Sequence, residues 1–344
     1  MSAVKVFVTD SLPPEARRVL AGFEVNENSA EDSFLEGCEA LVCWPSRAKA
    51  ELLGKMKGLR MIQTMSAGVD ALDFRAVPPE AEVFSNAGAF TYTVAEHAWG
   101  LLLGVAKGIH LRNQRTIPRA LRGKTLLVVG AGAIGSEVAR LAKSLPMKTI
   151  GLSRSLKAPE HFDETGPLTG LPEFIARADA VVIALPLTKL TSGLVTYDLL
   201  SRAKDGVIVV NVGRGELVDE DGLIRWLSEK PESRYATDVF WIDEGKESFK
   251  TKAWDLSNFA GTLHVAGGPL GEDLMSVKLA AVENVRKFFE GGAAANRIER
   301  SEYYQEPFHT PISLNTRGGG GAEQGQTNAK KEIRHKRIRG SQGR

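Results

Sequence analysis

The 344-residue sequence predicts an α/β protein made of two doubly wound parallel-sheet domains, the second inserted in the first. Three observations predict it. Short apolar, strand-like runs alternate with helical patterns from Val4 to about Val265, which implies parallel sheets covered on both faces. The stretch from Leu126 to Arg154 reads strand, glycine turn, helix, strand, the opening unit of a Rossmann dinucleotide-binding domain. A last helical pattern, from about Glu272 to Glu290, can pack back on the first domain and make it discontinuous. The expected boundaries are 1–92 plus 269–312 for the first domain, 93–268 for the inserted one, and 313–344 for a disordered basic tail.

In chain order, Val4–Val8 is a strand, and Pro13 and Pro14 suit a first helical turn before Ala16 to Leu20. Ala40–Cys43, Arg60–Thr64 and Glu82–Phe84 are further strands with helical spacers between them. The loops after the last two, Met65 to Asp70 and Asn86 to Gly88, fall at the sheet's carboxyl edge, where ligands of open α/β sheets bind. A long helix from near Thr93 to His110 is expected to connect the domains and bury itself between them. Leu126–Val129, Lys148–Leu152, Ala180–Ala184, Val207–Asn211, Tyr235–Val239 and Phe259–Leu263 are the strands of the inserted domain. After Tyr304 the apolar periodicity stops, and from Thr316 almost no large apolar residue remains to bury a core.

Composition narrows the class. A hydrophobic content of 43% and a charged content of 25% are those of an ordinary water-soluble protein. The apolar run near Ala98–Ala106 is too short for a membrane span, and no apolar signal core precedes Val4, so the cytoplasm is the expected location. Cys38 and Cys43 read as buried small residues of a reducing compartment, not as a disulfide or zinc site. The net charge of +2 hides an asymmetry: the stretch from Thr316 onward is net +6 and the remainder net −4. A mildly acidic body makes nucleic acid an unlikely partner.

The turn Gly130-Ala131-Gly132-Ala133-Ile134-Gly135 carries the first chemistry. Its glycines allow a tight turn, close approach of backbone to a pyrophosphate, and close helix–strand packing, and the helix start offers free N–H groups. The second strand ends at Leu152-Ser153-Arg154 with Lys157 close behind, where an NAD site would place Asp or Glu. A hydroxyl and a guanidinium suit a 2′-phosphate, so NADP is favoured ahead of NAD.

Several motifs recur in a fixed order: Ser66-Ala67-Gly68-Val69-Asp70, Val94-Ala95-Glu96-His97, the glycine turn, Leu185-Pro186-Leu187-Thr188 with Thr191, Asn211-Val212-Gly213-Arg214-Gly215, Asp238-Val239-Phe240, and Leu263-His264-Val265-Ala266-Gly267. By these the chain resembles the D-isomer-specific 2-hydroxyacid dehydrogenases. The resemblance implies hydride transfer between a nicotinamide cofactor and a small 2-oxo or D-2-hydroxy acid, in a homodimer. It implies cofactor contacts from Val94, Leu185, Pro186, Thr191, Val212, Gly213, Asp238, Ala266 and Gly267, beside Gly130, Gly132, Ala133, Ile134, Gly135, Ser153 and Arg154. It implies that His264 is the acid/base, that Arg214 holds the substrate, and that the N–H groups of Ala67 and Gly68 bind its carboxylate. Histidine titrates near neutral pH, and a planar guanidinium can hold carboxylate and carbonyl oxygens together.

The resemblance also implies a third catalytic member, an acid beside the imidazole, which the family's distance from Asp238 puts at Asp243, with Glu244 as the alternative. Leu263 also departs from the family, standing where Pro usually precedes the histidine. The glyoxylate/hydroxypyruvate reductase branch is favoured. The other readings are a phosphoglycerate dehydrogenase-like enzyme and a non-catalytic dinucleotide-sensing regulator on the same fold.

Overall fold

A computed structural model describes residues 3–111, 116–154, 160–267 and 273–304; the tail from 313 and Lys157 lie outside them. The first sheet is formed by β1 (Lys5–Val8), β2 (Glu24–Glu27), β3 (Ala40–Cys43), β4 (Met61–Thr64) and β5 (Glu82–Phe84), all parallel, in the order β2-β1-β3-β4-β5. Helices α1 (Pro14–Val19), α2 (Asp32–Glu36) and α3 (Ala50–Lys55) lie between these strands in the chain. Strands β3 and β4 are buried at every residue, as parallel strands covered on both faces must be. Strand β2 was not among the expected strands. Its sequence, Glu-Val-Asn-Glu, lacks an apolar run because it pairs on one side only, at the sheet edge.

The helix α4 (Thr91–Lys107) follows, closed by Gly108 in the left-handed region at φ 71°. It is not buried between two domains as expected. Val94, Ala98, Leu102 and Val105 pack into the second sheet's core with Leu126, Val128 and Val138, while Glu96, Gly100 and Lys107 are exposed. One apolar stripe on small residues covers one sheet, and the opposite stripe faces solvent.

The second sheet runs through β6 (Thr125–Val129), α5 (Ala133–Lys143), β7 (Lys148–Leu152), β8 (Glu164–Gly166), α6 (Leu171–Ile175), β9 (Ala180–Ile183), α7 (Tyr197–Leu200), β10 (Ile208–Asn211), α8 (Glu220–Glu229) and β11 (Arg234–Thr237). A small antiparallel hairpin, β12 (Ile242–Asp243) and β13 (Lys246–Glu247), precedes the last strand, β14 (Phe259–Gly261). The order is β14-β11-β10-β9-β6-β7-β8, all parallel. The chain leaves β6 in one direction and returns at β9 to run in the other. The crevice at that reversal, outside the carboxyl ends of the strands, is where such sheets bind ligands.

Helix α9 (Asp273–Phe289) returns to the first sheet. Val277, Ala281, Val282 and Val285 are buried against Val6, Val8 and Ala40, each contributing about 1–2 kcal/mol according to size. A buried amide pair, Asn284 Nδ2 to Gln63 Oε1 at 2.7 Å, satisfies the polar groups on that contact.

Candidate active site

The glycine turn is tight for reasons internal to the protein at two of its three glycines. Gly130 sits at φ 109°, and a Cβ there would meet the Ala184 carbonyl oxygen at 2.6 Å. A Cβ on Gly135 would overlap the Gly130 carbonyl oxygen. Gly132 differs: nothing lies within 4 Å of the position its Cβ would take, at the residue that caps α5. That open space faces the first turn of α5, Ala133-Ile134-Gly135, whose N–H groups have no partner within the helix. The cradle therefore fits a dinucleotide pyrophosphate.

Beside it, Thr191 Oγ1 donates to the Pro186 carbonyl at 2.7 Å and accepts from Thr188 N at 2.8 Å. The Thr191 hydroxyl is thus used in shaping the Leu185–Thr191 turn. Ser153 follows β7, with its N–H donated to Gly166 O at 3.1 Å, and Arg154 is ion-paired to Glu302.

Arg214 is placed by the loop that carries it. The Asn211 side chain spans that loop, accepting from Gly213 N at 3.0 Å and donating to Arg214 O at 2.8 Å. The guanidinium bonds Asp70 through Nε (3.1 and 3.2 Å) and the Gly213 carbonyl through Nη1 (2.9 Å). Its Nη2 occupies the space over Gly68, so any Cβ there would overlap it. The adjacent Asp70 charge holds the guanidinium still more firmly protonated.

His264 lies in the left-handed region at φ 52°, held there by the buried Asp238. The Asp238 carbonyl accepts from His264 N at 2.8 Å, and its carboxylate accepts from Val265 N (2.9 Å), Ala266 N (2.8 Å) and Thr262 Oγ1 (2.6 Å). His97 Nε2 meets Thr262 Oγ1 at 2.7 Å. Asp238, expected as a cofactor contact, therefore anchors the histidine loop, and His97 on α4 braces that anchor.

The acid beside His264 is Glu247, with Oε2 at 2.5 Å from Nδ1; neither Asp243 nor Glu244 stands there. Glu247 Oε1 accepts from Phe240 N at 2.7 Å. This corrects the spacing-based expectation. Glu244 (φ 48°) and Gly245 (φ 78°) form a two-residue turn that folds the segment into a hairpin, so Ile242 faces Glu247 and Asp243 faces Lys246. Side chains alternate along each strand, which turns Glu247 inward with Ile242 and leaves Asp243 exposed with Lys246.

Two adjoining cavities share Trp44, Ser66, Gly68, Arg214 and His264, and so form one cleft between the sheets. One, of about 390 Å³, adds Glu216, Ile242 and Glu247; the other, of about 280 Å³, adds Ala67, Val94, Ile134, Val212, Ala266 and Gly267. Glu216 accepts from Ile242 N at 2.8 Å, and burial pushes its carboxyl up to about 7, the Asp70 charge adding to the effect. A wider surface cleft of about 480 Å³ at Arg119, Asp179 and Lys204 opens at the opposite edge of the second sheet and includes none of these groups. Among the described residues no cluster could hold a metal ion.

Arg214, His264, Ser66 and Gly68, singled out by their motifs, line the same cleft, whereas Glu247, Glu216 and the anchoring contacts of Asp238 were not among the expected features. The Glu244-Gly245 pair, a hairpin-turn signal, was the one feature that pointed to Glu247.

A two-sheet molecule with a dinucleotide cradle and an arginine–histidine cleft belongs to the class of nicotinamide-dependent oxidoreductases. The family model for the NAD-binding domain of D-isomer-specific 2-hydroxyacid dehydrogenases matches residues 83–266, more than half of the chain. The chain belongs to that family, whose members act on CH–OH groups. It is 28% identical to the hydroxypyruvate reductase of Thermotoga maritima over 83% of this chain and 99% of the relative. It is 27% identical to the glyoxylate reductase of Aeropyrum pernix, over 87% and 97%. A D-3-phosphoglycerate dehydrogenase of Archaeoglobus fulgidus is 29% identical, but the match spans only 53% of that protein. Among solved structures, a candidate formate dehydrogenase of Pyrobaculum aerophilum superposes with a TM-score of 0.75 at 31% identity, over 88% of this chain and all of that one.

Proposed function

We propose that this chain reduces small 2-oxo acids of the glyoxylate or hydroxypyruvate type to D-2-hydroxy acids, with NADPH used ahead of NADH. The observation that carries the reading is the convergence of Arg214, His264 and Glu247 on one cavity of about 390 Å³. The full-length match to two relatives named as reductases of such acids supports it. The packing of α9 on the first sheet and of α4 in the core of the second supports a substrate domain of residues 1–92 plus 269–312 and a cofactor domain of 93–268.

The Gly132 cradle would hold a reduced nicotinamide dinucleotide, which would supply the hydride for the 2-oxo carbon. Arg214 holds the substrate's carboxylate and carbonyl oxygen, and the Ala67 and Gly68 N–H groups take the carboxylate from the other side. As negative charge gathers on the carbonyl oxygen, His264 donates a proton to it, which completes the hydroxy acid. Glu247, bonded to Nδ1, orients the ring, which leaves Nε2 to face the substrate. In the hydroxy acid direction the same imidazole accepts that proton.

No helix among the described residues is long and apolar enough to cross a membrane. We propose a cytoplasmic homodimer, and the exposed Ile109 and Trp254 beside the solvent-facing stripe of α4 support self-association there. Light scattering of the purified chain tests the assembly. The activity is tested by following NADPH absorbance with glyoxylate, hydroxypyruvate and other 2-oxo acids. Absence of turnover across the panel, with NADPH still bound, would overturn the reading.

A further inference from the structure

The segment from Arg297 to Tyr303 is fixed to the first sheet yet grips the second. Ile298 N donates to Val83 O at 2.8 Å, Arg300 Nη2 donates to the Pro78 and Ala81 carbonyls (2.6 and 2.5 Å), and Tyr303 stacks on Phe74 at 5.5 Å. On its other side Lys189 N donates to Glu302 O at 2.9 Å and Lys189 Nζ to Ser301 O at 3.1 Å. Lys189 belongs to the Leu185–Thr191 turn of the cofactor sheet. From this strap the Glu302 carboxylate reaches Arg154, just past the end of β7.

The position of Arg154 gives this ion pair its meaning. The end of the second strand of a Rossmann sheet is where a carboxylate selects the 2′-hydroxyl of NAD, or an arginine accepts the 2′-phosphate of NADP. This chain has no acid at the end of β7 itself. The tertiary structure brings one in, 148 residues away in sequence, and sets it on the arginine. The Glu302 side chain is 25% exposed and tethered by the strap, whereas that of Arg154 is 63% exposed. When a 2′-phosphate arrives, it is the arginine that must move, and the carboxylate stays beside the incoming negative charge.

We propose that Glu302 is a cofactor-specificity residue: it competes with the 2′-phosphate for Arg154 and so weakens NADPH binding selectively. The inference rests on the reading of Arg154 as the 2′-phosphate ligand. A ribose with a free 2′-hydroxyl carries no charge to repel, so NADH is affected little. Both carboxylate oxygens of Glu302 can only accept hydrogen bonds, which suits them to the guanidinium and sets them against a phosphate.

Isothermal titration of the full chain with NADPH and with NADH, for wild type, Glu302→Gln and Arg154→Ala, tests it without relying on turnover. Glu302→Gln keeps the backbone bonds of the strap, and its thermal midpoint without cofactor, measured in parallel, should match wild type. The expected result is an NADPH dissociation constant lowered about tenfold with NADH changed less than about twofold, the size of one lost like-charge contact. An unchanged NADPH constant, or equal changes for both cofactors, would overturn the role of Glu302. Arg154→Ala separates this from the underlying reading. Selective loss of NADPH leaves the Arg154 assignment standing whatever Glu302 does. Equal loss of both cofactors removes that assignment and the proposal with it.

Discussion

The two ends of the cleft are built by different means. The dinucleotide end is local: Gly130, Gly132 and Gly135 lie within one turn, Gly135 is constrained by Gly130 and Val128, and Gly130 by the neighbouring strand end at Ala184. The proton-transfer end is assembled from afar, with Asp70 reaching Arg214 across 144 residues, Glu247 reaching His264 across 17, and Asp238 holding the loop at 262–266. A site made of consecutive backbone tolerates little change at its own residues. A site made of converging side chains depends on elements that bear no sequence relation to it.

Substitutions at the two ends put that contrast to the test. The largest effect should come from His264→Ala, which removes the proton donor and should lower kcat by about 100- to 10,000-fold while leaving NADPH affinity nearly intact; a lost affinity would make the residue structural. Glu247→Gln should lower kcat by on the order of 10–100-fold, as expected for loss of a charge-assisted bond of about 1.5–3 kcal/mol. Asp243→Asn, on the outer face of the same hairpin, should leave kcat unchanged, and the reverse ranking in steady-state kinetics would restore the spacing-based assignment. At the local end, Gly135→Ala should cost about 1–3 kcal/mol of stability in denaturant unfolding, because the new methyl would overlap the Gly130 carbonyl oxygen and crowd the buried Val128 side chain.

The smallest effect concerns Glu216. Its folded-state value of about 7 exceeds the ordinary glutamate value of 4.5, so between these pH values the folded chain holds a proton that the unfolded chain has released. Its contribution to stability is therefore complete below about pH 4.5 and is lost as pH rises through 7. Glu216→Gln, which keeps an acceptor for Ile242 N, should be more stable than wild type at pH 8 by about 2 kcal/mol, and the gap should fall to less than about half at pH 5. Unfolding curves of both proteins at the two pH values check the sign.

The strand and helix alternation, the central strands of both sheets and the glycine turn were legible along the chain, and its motifs singled out Arg214 and His264. These are properties of short stretches: apolar runs, turn residues, and motifs whose members stand within a few positions of each other. The sequence could not place the edge strand β2, whose polar residues lose only one side of pairing, or decide which face of α4 is covered. The folded chain, not the spacing of its acids, sets Glu247 and not Asp243 against the imidazole. One two-residue turn sets the register of the hairpin, and alternation then sends neighbouring carboxylates to opposite faces. The fold also gives Arg154 its carboxylate partner. Glu302 lies on a strap that leaves the first sheet and crosses to the second, and no spacing along the chain records that crossing.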